Sequence, residues 1–360
     1  MEQFSMFNDI KQISNDWKWS FKDYPSKNGL KVFSFFACGG GSTMGYKLCG
    51  CEVIGCNEID PKINKVYVAN HNPKYNYCED IRDFNKREDL PEELYDLDIL
   101  DCSPPCSTFS VAGKREEGWG KEKKFREGQK LQTLDDLVFI SIESVAKLRP
   151  KVAIMENVEG LTLGKAWKYV QEIYKRFNDI GYKVKHWLVK GETIGLPQTR
   201  HRVFFVATRL DFDLNNINMY FNYEEVLYKN IKTGKGEIVR DKLLKLLEYV
   251  KPPENDFEKA CVRMLGKPSL FNTEIVYDNS VLKTVTSTTI AESVVYDTKC
   301  YTSNEDIIHS STFPEDFNFI DFNRKNIRYI CGMSVPPLMM KRVVTRLIES
   351  GLFDYKLKEN

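Results

Sequence analysis

Lys31-Val-Phe-Ser-Phe-Phe-Ala-Cys-Gly-Gly-Gly-Ser42 decides the fold. Lys31–Phe36 reads as a buried strand, and the glycine-rich turn behind it opens a nucleotide-type βα unit. Three glycines at a strand end let a ligand approach the main chain closely, although a packing turn would use them too. Working outward, Glu52–Glu58 reads as a second strand, and Pro61–Asn70 as a helix with Asp60 at its N-cap and Pro61 at N1. Leu97–Asp101, Lys151–Met155, the alternating Tyr182–Val189 and Arg202–Ala207 read as further strands. Gln132–Leu148 and Trp167–Ile180 read as helices, ended by Arg149-Pro150 and Gly181. Strand and helix alternate as far as Leu210, which predicts an α/β fold with a doubly wound, mostly parallel sheet covered on both faces.

Past Leu210 the rhythm breaks. The expected organisation is an extension over 1–30, a ligand-binding domain over 31–210, an irregular lobe over 211–300 with one clear helix at Arg240–Tyr249, and a segment over 301–360. That last segment is expected to start as strand or loop around Ile327, to end in a long helix, and to return to the main sheet. Apolar residues make up 42% and charged residues 29% of the chain, the balance of an ordinary globular protein. There is no apolar run long enough to span a bilayer, and residues 1–20 do not read as a signal peptide. The ten cysteines are therefore expected as reduced thiols. Cys49, Cys51 and Cys56 lie close together, but with only four histidines and no paired C-x-x-C knuckles they read as buried thiols, and no metal is expected. A net charge of +1 lacks the global basic footprint of many nucleic-acid binders, so such binding would rest on local patches.

Chemistry-bearing residues gather at strand ends. Glu58 lies some twenty residues after the glycine turn, a spacing that suits a carboxylate gripping ribose hydroxyls. The Gly-Lys-Ser/Thr of a phosphate-binding loop is absent. Asp101-Cys-Ser-Pro-Pro-Cys-Ser-Thr-Phe-Ser110 ends another strand, and its two prolines stiffen the approach to Cys106, a candidate nucleophile against the commoner fate of an inert thiol. Glu156, in Met155-Glu-Asn-Val158, reaches the same sheet edge and offers proton transfer, or merely a cap. In Gln198-Thr-Arg-His-Arg202, Arg200 and Arg202 fall on one side of an extended chain and suit a base or phosphate. Residues 114–130 hold seven Lys/Arg against four Glu, with glycines at 113, 118, 120 and 128: a solvated loop, or one that closes over a ligand.

The order and wording of these segments resemble the DNA (cytosine-5) methyltransferase family. The resemblance rests on Phe36–Gly41, Asn57-Glu58-Ile59-Asp60, Glu79-Asp80-Ile81, Pro105-Cys106, Glu156-Asn157-Val158, Gln198–Arg202 and Gly332-Met-Ser-Val-Pro-Pro337. Thr302, Glu305 and Phe313-Pro314 resemble the segment before the last motif. The resemblance implies S-adenosylmethionine as cofactor, with Phe36, Gly40, Gly41, Glu58, Asp80, Ile81, Pro105 and Ser334 around it, Glu58 on the ribose and Asp80 on the adenine amino group. It also implies Cys106, Glu156, Arg200 and Arg202 as catalytic residues, double-stranded DNA as partner, a flipped-out target base, and the 211–300 lobe as the target-recognition region. The expected setting is a monomer in a bacterial or phage-infected cytoplasm, in a restriction-modification, phage or orphan role. Two departures stand out: Cys38 replaces the first glycine of the family's turn, and Met333 replaces an Asn that contacts the methionine end of the cofactor, where a thioether cannot donate an amide's hydrogen bonds. The alternatives are a transfer-RNA cytosine methyltransferase of the related branch and a catalytically silent DNA-binding relative. An NAD-dependent oxidoreductase fits poorly, because G-x-G-x-x-G spacing is missing.

Overall fold

The computed structural model describes residues 11–105, 122–123, 132–133, 136–268, 273–287 and 292–357. The chain divides into two compact units. The larger comprises Phe21–Lys190, His201–Tyr220 and Ser334–Asn360, and the smaller comprises Met1–Ser20, Gly191–Arg200 and Phe221–Met333. This partition differs from the expected one. Residues 301–333 fall in the smaller unit, and only the chain from Ser334 onward falls in the larger. The N-terminal residues are not a free extension, because Gln12 bridges to Tyr223 and the Trp19 indole donates to Thr312 O at 2.8 Å.

Among the described residues, seven strands form the sheet of the larger unit: β1 (Lys31–Phe35), β2 (Glu52–Asn57), β3 (Tyr75–Tyr77), β4 (Ile99–Cys102), β5 (Val152–Val158), β6 (Lys183–Lys190) and β7 (His201–Thr208). Their spatial order is β3-β2-β1-β4-β5-β7-β6. The first five are mutually parallel, and β7 runs antiparallel to both of its neighbours. The expected doubly wound α/β sheet is present.

Side chains alternate across each strand, so the register sorts them by face. Phe33, Phe35, Leu100, Cys102, Met155, Val203 and Phe205 share one face and one apolar core. Helices α3 (Ile81–Lys86), α4 (Leu137–Leu148) and α5 (Trp167–Asp179) cover it with Phe84, Ile142, Val145, Ile173 and Phe177. The opposite face carries Ser34, Asp101, Ile154, Glu156, Phe204 and Val206. Helix α1 (Gly41–Leu48) meets that face through Tyr46, and α2 (Pro61–His71) brings Tyr67 against Cys56. Helix α6 (Pro337–Glu349) packs on α1 so closely that a Cβ at Gly45 would lie 2.4 Å from Met340 Cβ.

Local signals explain most boundaries. Asp60 accepts from the main-chain N–H of Lys62 and Ile63 at the start of α2, with Pro61 as its first residue. Gly181, at φ +81°, stops α5. The helix expected from Gln132 begins instead at Leu137, because the backbone of Gln132–Thr133 is drawn into an antiparallel pairing with Glu122–Lys123.

The smaller unit has its own core, with Val239, Leu246, Phe257, Cys261, Ile275 and Val294 in it. Helices Asp241–Leu247 and Glu258–Leu265 and a sheet of Ile275–Val276, Val294–Val295 and Cys300–Tyr301 contribute to this core. The strand-like start expected near Ile327 is instead the helix Arg324–Met333, whose buried Ile327, Ile330 and Cys331 follow helical spacing. Among the described residues no helix is long and apolar enough to cross a membrane.

Candidate active site

The glycine turn leaves β1 with a tightly coiled main chain: Phe36, Cys38 and Gly40 have φ of +55°, +48° and +87°. Glu58, at the end of the adjacent β2, holds this turn. Its Oε2 accepts from Cys38 N at 2.9 Å and its Oε1 from Asp60 N at 2.9 Å. Burial pushes the Glu58 carboxyl above its usual range, and the main-chain donors oppose that shift.

Two of the glycines serve packing. A Cβ at Gly40 would lie 2.0 Å from His71 Nε2, and one at Gly41 would lie 2.0 Å from Val335 O. Packing alone would therefore favour glycine at both positions. Burial holds His71 far below the usual imidazole range, at about 3, so the ring is neutral and its Nε2 donates to Gly39 O at 3.2 Å. Cys38 is half-buried beside Ser334, and burial, with Glu58 nearby, pushes its thiol up to about 12.

At the end of β3, Asp80 caps α3 by accepting from Arg82 N at 2.8 Å and pairs with the Arg82 side chain at 3.3 Å, yet its carboxylate stays 24% exposed. Ile81 is buried in the core, so only its main chain is left to face a ligand. Sheet order sets the ends of β3, β2 and β1 side by side, bringing Asp80, Glu58 and Phe36 to one edge.

On the same edge, β4 runs into Ser103-Pro104-Pro105, and buried Asn157 donates to Pro104 O at 3.5 Å. Cys106 and the basic loop of residues 114–130 lie outside the described residues, except for the backbone pairing of Glu122–Lys123. Glu156 accepts from Arg202 Nε at 2.7 Å, the two side chains being 10% and 13% exposed. Arg202 also donates to His201 O at 2.7 Å.

Arg200 does not share this task. It is 2% exposed, and its guanidinium donates to Gly332 O at 3.1 Å and Val285 O at 3.3 Å inside the smaller unit. Gln198 works alongside it, donating to Ser310 O at 2.7 Å and accepting from Val285 N at 3.1 Å. The terminal nitrogens of its guanidinium thus point to main-chain carbonyls, and the partner of Glu156 is Arg202.

One carboxylate escaped the sequence reading. Asp101 is buried at the end of β4, where Ser34 Oγ donates to it at 2.6 Å and Tyr46 OH at 3.2 Å. Burial, with Glu156 adding to it against these hydroxyls, pushes Asp101 up to about 7. The available signal was an acid placed inside an otherwise apolar strand.

A family model described as C-5 cytosine-specific DNA methylase matches residues 30–349. The Type II methyltransferase M.FnuDI of Fusobacterium nucleatum is 30% identical over 207 residues, which cover 56% of this chain and 54% of that protein. M.NgoPII of Neisseria gonorrhoeae is 32% identical over 192 residues, 52% of this chain and 50% of that protein. The chain thus spans about half the length of these two relatives. M.HaeII of Haemophilus aegyptius is 24% identical over 328 residues, covering 89% of this chain and 93% of its own. Among solved structures, a putative DNA modification methyltransferase encoded within an E. coli prophage superposes with a TM-score of 0.62 at 18% identity, covering 89% of this chain and 99% of its own. A mutant of Spodoptera frugiperda DNMT2 gives 0.61 at 15% identity, covering 89% and 100%. These structural likenesses show a shared fold. The match across residues 30–349, on a sheet edge that gathers Glu58, Asp80, Glu156 and Arg202, places the chain in the C-5 cytosine-specific DNA methylase family.

Proposed function

We propose that the protein methylates carbon 5 of cytosine in a specific sequence of double-stranded DNA, with S-adenosylmethionine as donor. The observation that carries this reading is the Glu156–Arg202 pair at the edge where Pro104-Pro105 leads into Cys106. Carbon 5 of cytosine is a weak nucleophile. A bond from Cys106 Sγ to carbon 6 turns the ring into an enamine, and the charge this pushes onto ring nitrogen 3 is relieved by a proton from Glu156. Arg202 orients Glu156 and presents its remaining donors to the ring oxygen. Loss of the carbon 5 proton and of Cys106 then releases the product. Because the base is stacked in duplex DNA, it must first be flipped out. The loop of residues 114–130, rich in lysine and arginine, suits closure over it and contact with phosphates.

The edge of β1, β2 and β3 fits a nucleoside cofactor. A buried carboxylate whose two oxygens are already aligned by Cys38 and Asp60 is pre-organised for a ribose diol. Half-exposed Asp80 suits an adenine amino group, and Phe36 offers a ring face. Gly40, Gly41, Ile81, Pro105 and Ser334 supply main-chain surface around it. When bound, the cofactor supplies an electrophilic methyl group. The smaller unit, which holds most of the 211–300 lobe, is read as the part that recognises the target sequence, and the enzyme as a monomer working in a reducing cytoplasm.

Conversion sequencing of DNA from a methylation-deficient host expressing the chain, beside Cys106→Ala, tests this reading. Methylated cytosines in one short context, absent with the variant, are expected. Unmodified DNA with methylated transfer RNA would move the reading to the RNA-directed branch. Unmodified DNA and RNA from a folded protein would leave a binding protein that has lost its chemistry.

A further inference from the structure

Asn57 carries an amide where the sheet calls for an apolar side chain. The register sets it beside Phe35 of β1 and Tyr77 of β3, on the face that carries the apolar core. It is 2% exposed. A buried amide is unfavourable unless its hydrogens find acceptors. Here both do: Asn57 Nδ2 donates to Tyr77 O at 3.2 Å and to Glu79 O at 2.9 Å, the two carbonyls on either side of Cys78.

These bonds begin where the ladder stops. Strand β3 ends at Tyr77, whose carbonyl also accepts from Glu58 N at 3.1 Å. Past that point the chain leaves its register with β2, and the Asn57 side chain holds the segment that leads to Asp80. Asp80 is fixed from its other side, where its carboxylate accepts from Arg82 N at 2.8 Å. The main-chain carbonyl of Asn57 accepts from Ala37 N at 3.2 Å, so the same residue ties down the start of the glycine turn. Its neighbour in the chain, Glu58, aligns with Cys38 N and Asp60 N. One buried residue is thus bonded to the turns behind both β1 and β3, and stands next to the carboxylate that ends β2.

We propose that Asn57 is a positioning residue for the purine end of the cofactor: by holding Glu79 O, it sets the place from which Asp80 accepts the adenine amino group. This rests on the reading of Asp80 as that acceptor. Hydrogen bonds weaken steeply as their angle and distance drift, so a released Asp80 accepts poorly even though its carboxylate is intact. The amide is specific to this task. An aspartate at 57 has the same size but turns a carboxylate oxygen towards carbonyl oxygens, and a serine has one hydrogen to give to two carbonyls. Either change frees the peptide between Glu79 and Asp80 and leaves Asp80, Arg82 and Glu58 in the chain.

The test is calorimetric binding of two compounds: S-adenosylhomocysteine, which is the donor without its methyl group, and the same molecule with hydrogen in place of the adenine amino group. Wild type is expected to bind the second about tenfold more weakly, the worth of one hydrogen bond to a carboxylate. Asn57→Asp and Asn57→Ser are expected to bind S-adenosylhomocysteine about tenfold more weakly than wild type does, and the compound without the amino group equally well, so that neither variant discriminates between the two. Asp80→Ala should behave in the same way, and adding Asn57→Ser to it should cost nothing further. The serine variant carries the test if the buried carboxylate of Asn57→Asp prevents folding. An equal loss on both compounds would make Asn57 a residue of general stability, and unchanged affinity for both would remove it from the site; either result overturns the proposal. Failure of the underlying reading looks different: wild type itself would bind the two compounds equally, before any variant is compared.

Discussion

Replacing Gly41 with alanine isolates the contact that shapes the glycine turn. Gly41 does not have a positive φ, so alanine meets no backbone strain there, and the whole effect is steric. The added Cβ would sit 2.0 Å from Val335 O, 2.9 Å from Ser334 Cβ and 3.1 Å from Val335 C. Two of those three atoms are main chain and cannot rotate away, so α1 and the start of the Ser334–Val335 segment must move apart. Overpacking of this kind costs about 1–3 kcal/mol, and a collision with fixed main chain belongs at the upper end, about 3 kcal/mol. Gly181→Ala is the control. It has φ +81° with nothing within 4 Å of the new Cβ, so it loses only the left-handed penalty of about 1 kcal/mol. Denaturant unfolding, read with a probe in the larger unit, measures both. Gly41→Ala is also expected to weaken cofactor binding more than tenfold in calorimetry, since Ser334 and the turn move together, whereas Gly181→Ala leaves it unchanged. If Gly41→Ala proves no more destabilising than Gly181→Ala, the argument that main-chain packing dictates this glycine is wrong.

Two further outcomes follow from the same geometry. Arg202→Ala leaves the Glu156 carboxyl, 10% exposed, without its 2.7 Å partner, and is expected to cost about 3 kcal/mol of stability and to abolish methyl transfer, with unfolding curves and tritium incorporation as the checks. His71 is held at about 3 in the fold against 6.5 in the unfolded chain, so as pH falls below 6.5 the unfolded state gains a proton that the folded state refuses. Stability from this source is intact above that pH and is lost progressively down to about 3, roughly 2 kcal/mol by pH 5, and His71→Gln should flatten that part of a stability-against-pH curve.

What the sequence made legible was local and periodic. The apolar run at β1, the Asp60-Pro61 start of α2 and the Gly181 stop of α5 are short-range signals, and the structure forms each where they stand. Residue spacing did not identify long-range partners. Arg200 and Arg202 share a side in an extended strand, but one guanidinium goes to the carbonyls of Gly332 and Val285 and the other to Glu156. Nothing two residues away encodes that choice. The short β3 (Tyr75–Tyr77) carries too few residues for a period to register, and α3 (Ile81–Lys86) is announced only by its Asp80 cap. Arg324–Met333 did carry a helical spacing of Ile327, Ile330 and Cys331, hidden among polar neighbours.

Asp101 was illegible for a different reason. A single acid at the end of an apolar strand reads as a strand boundary, and only the register reveals that it stands on the face of Glu156. The glycine turn teaches the converse. Its composition suggests ligand access, and Gly40 and Gly41 are also the positions where a Cβ would meet His71 and Val335. Cys38 then becomes intelligible. It adopts φ +48°, a conformation that costs a non-glycine residue about 1 kcal/mol, and in return its main-chain N–H reaches Glu58. Cys38 and Met333 are the two positions where the chain departs from the wording of the family it resembles, and Ser334 lies beside the first and is adjacent in sequence to the second. The departures are therefore better treated as a pair than as two separate losses, and a double replacement, Cys38→Gly with Met333→Asn, is the variant in which their effects on cofactor affinity should fail to add.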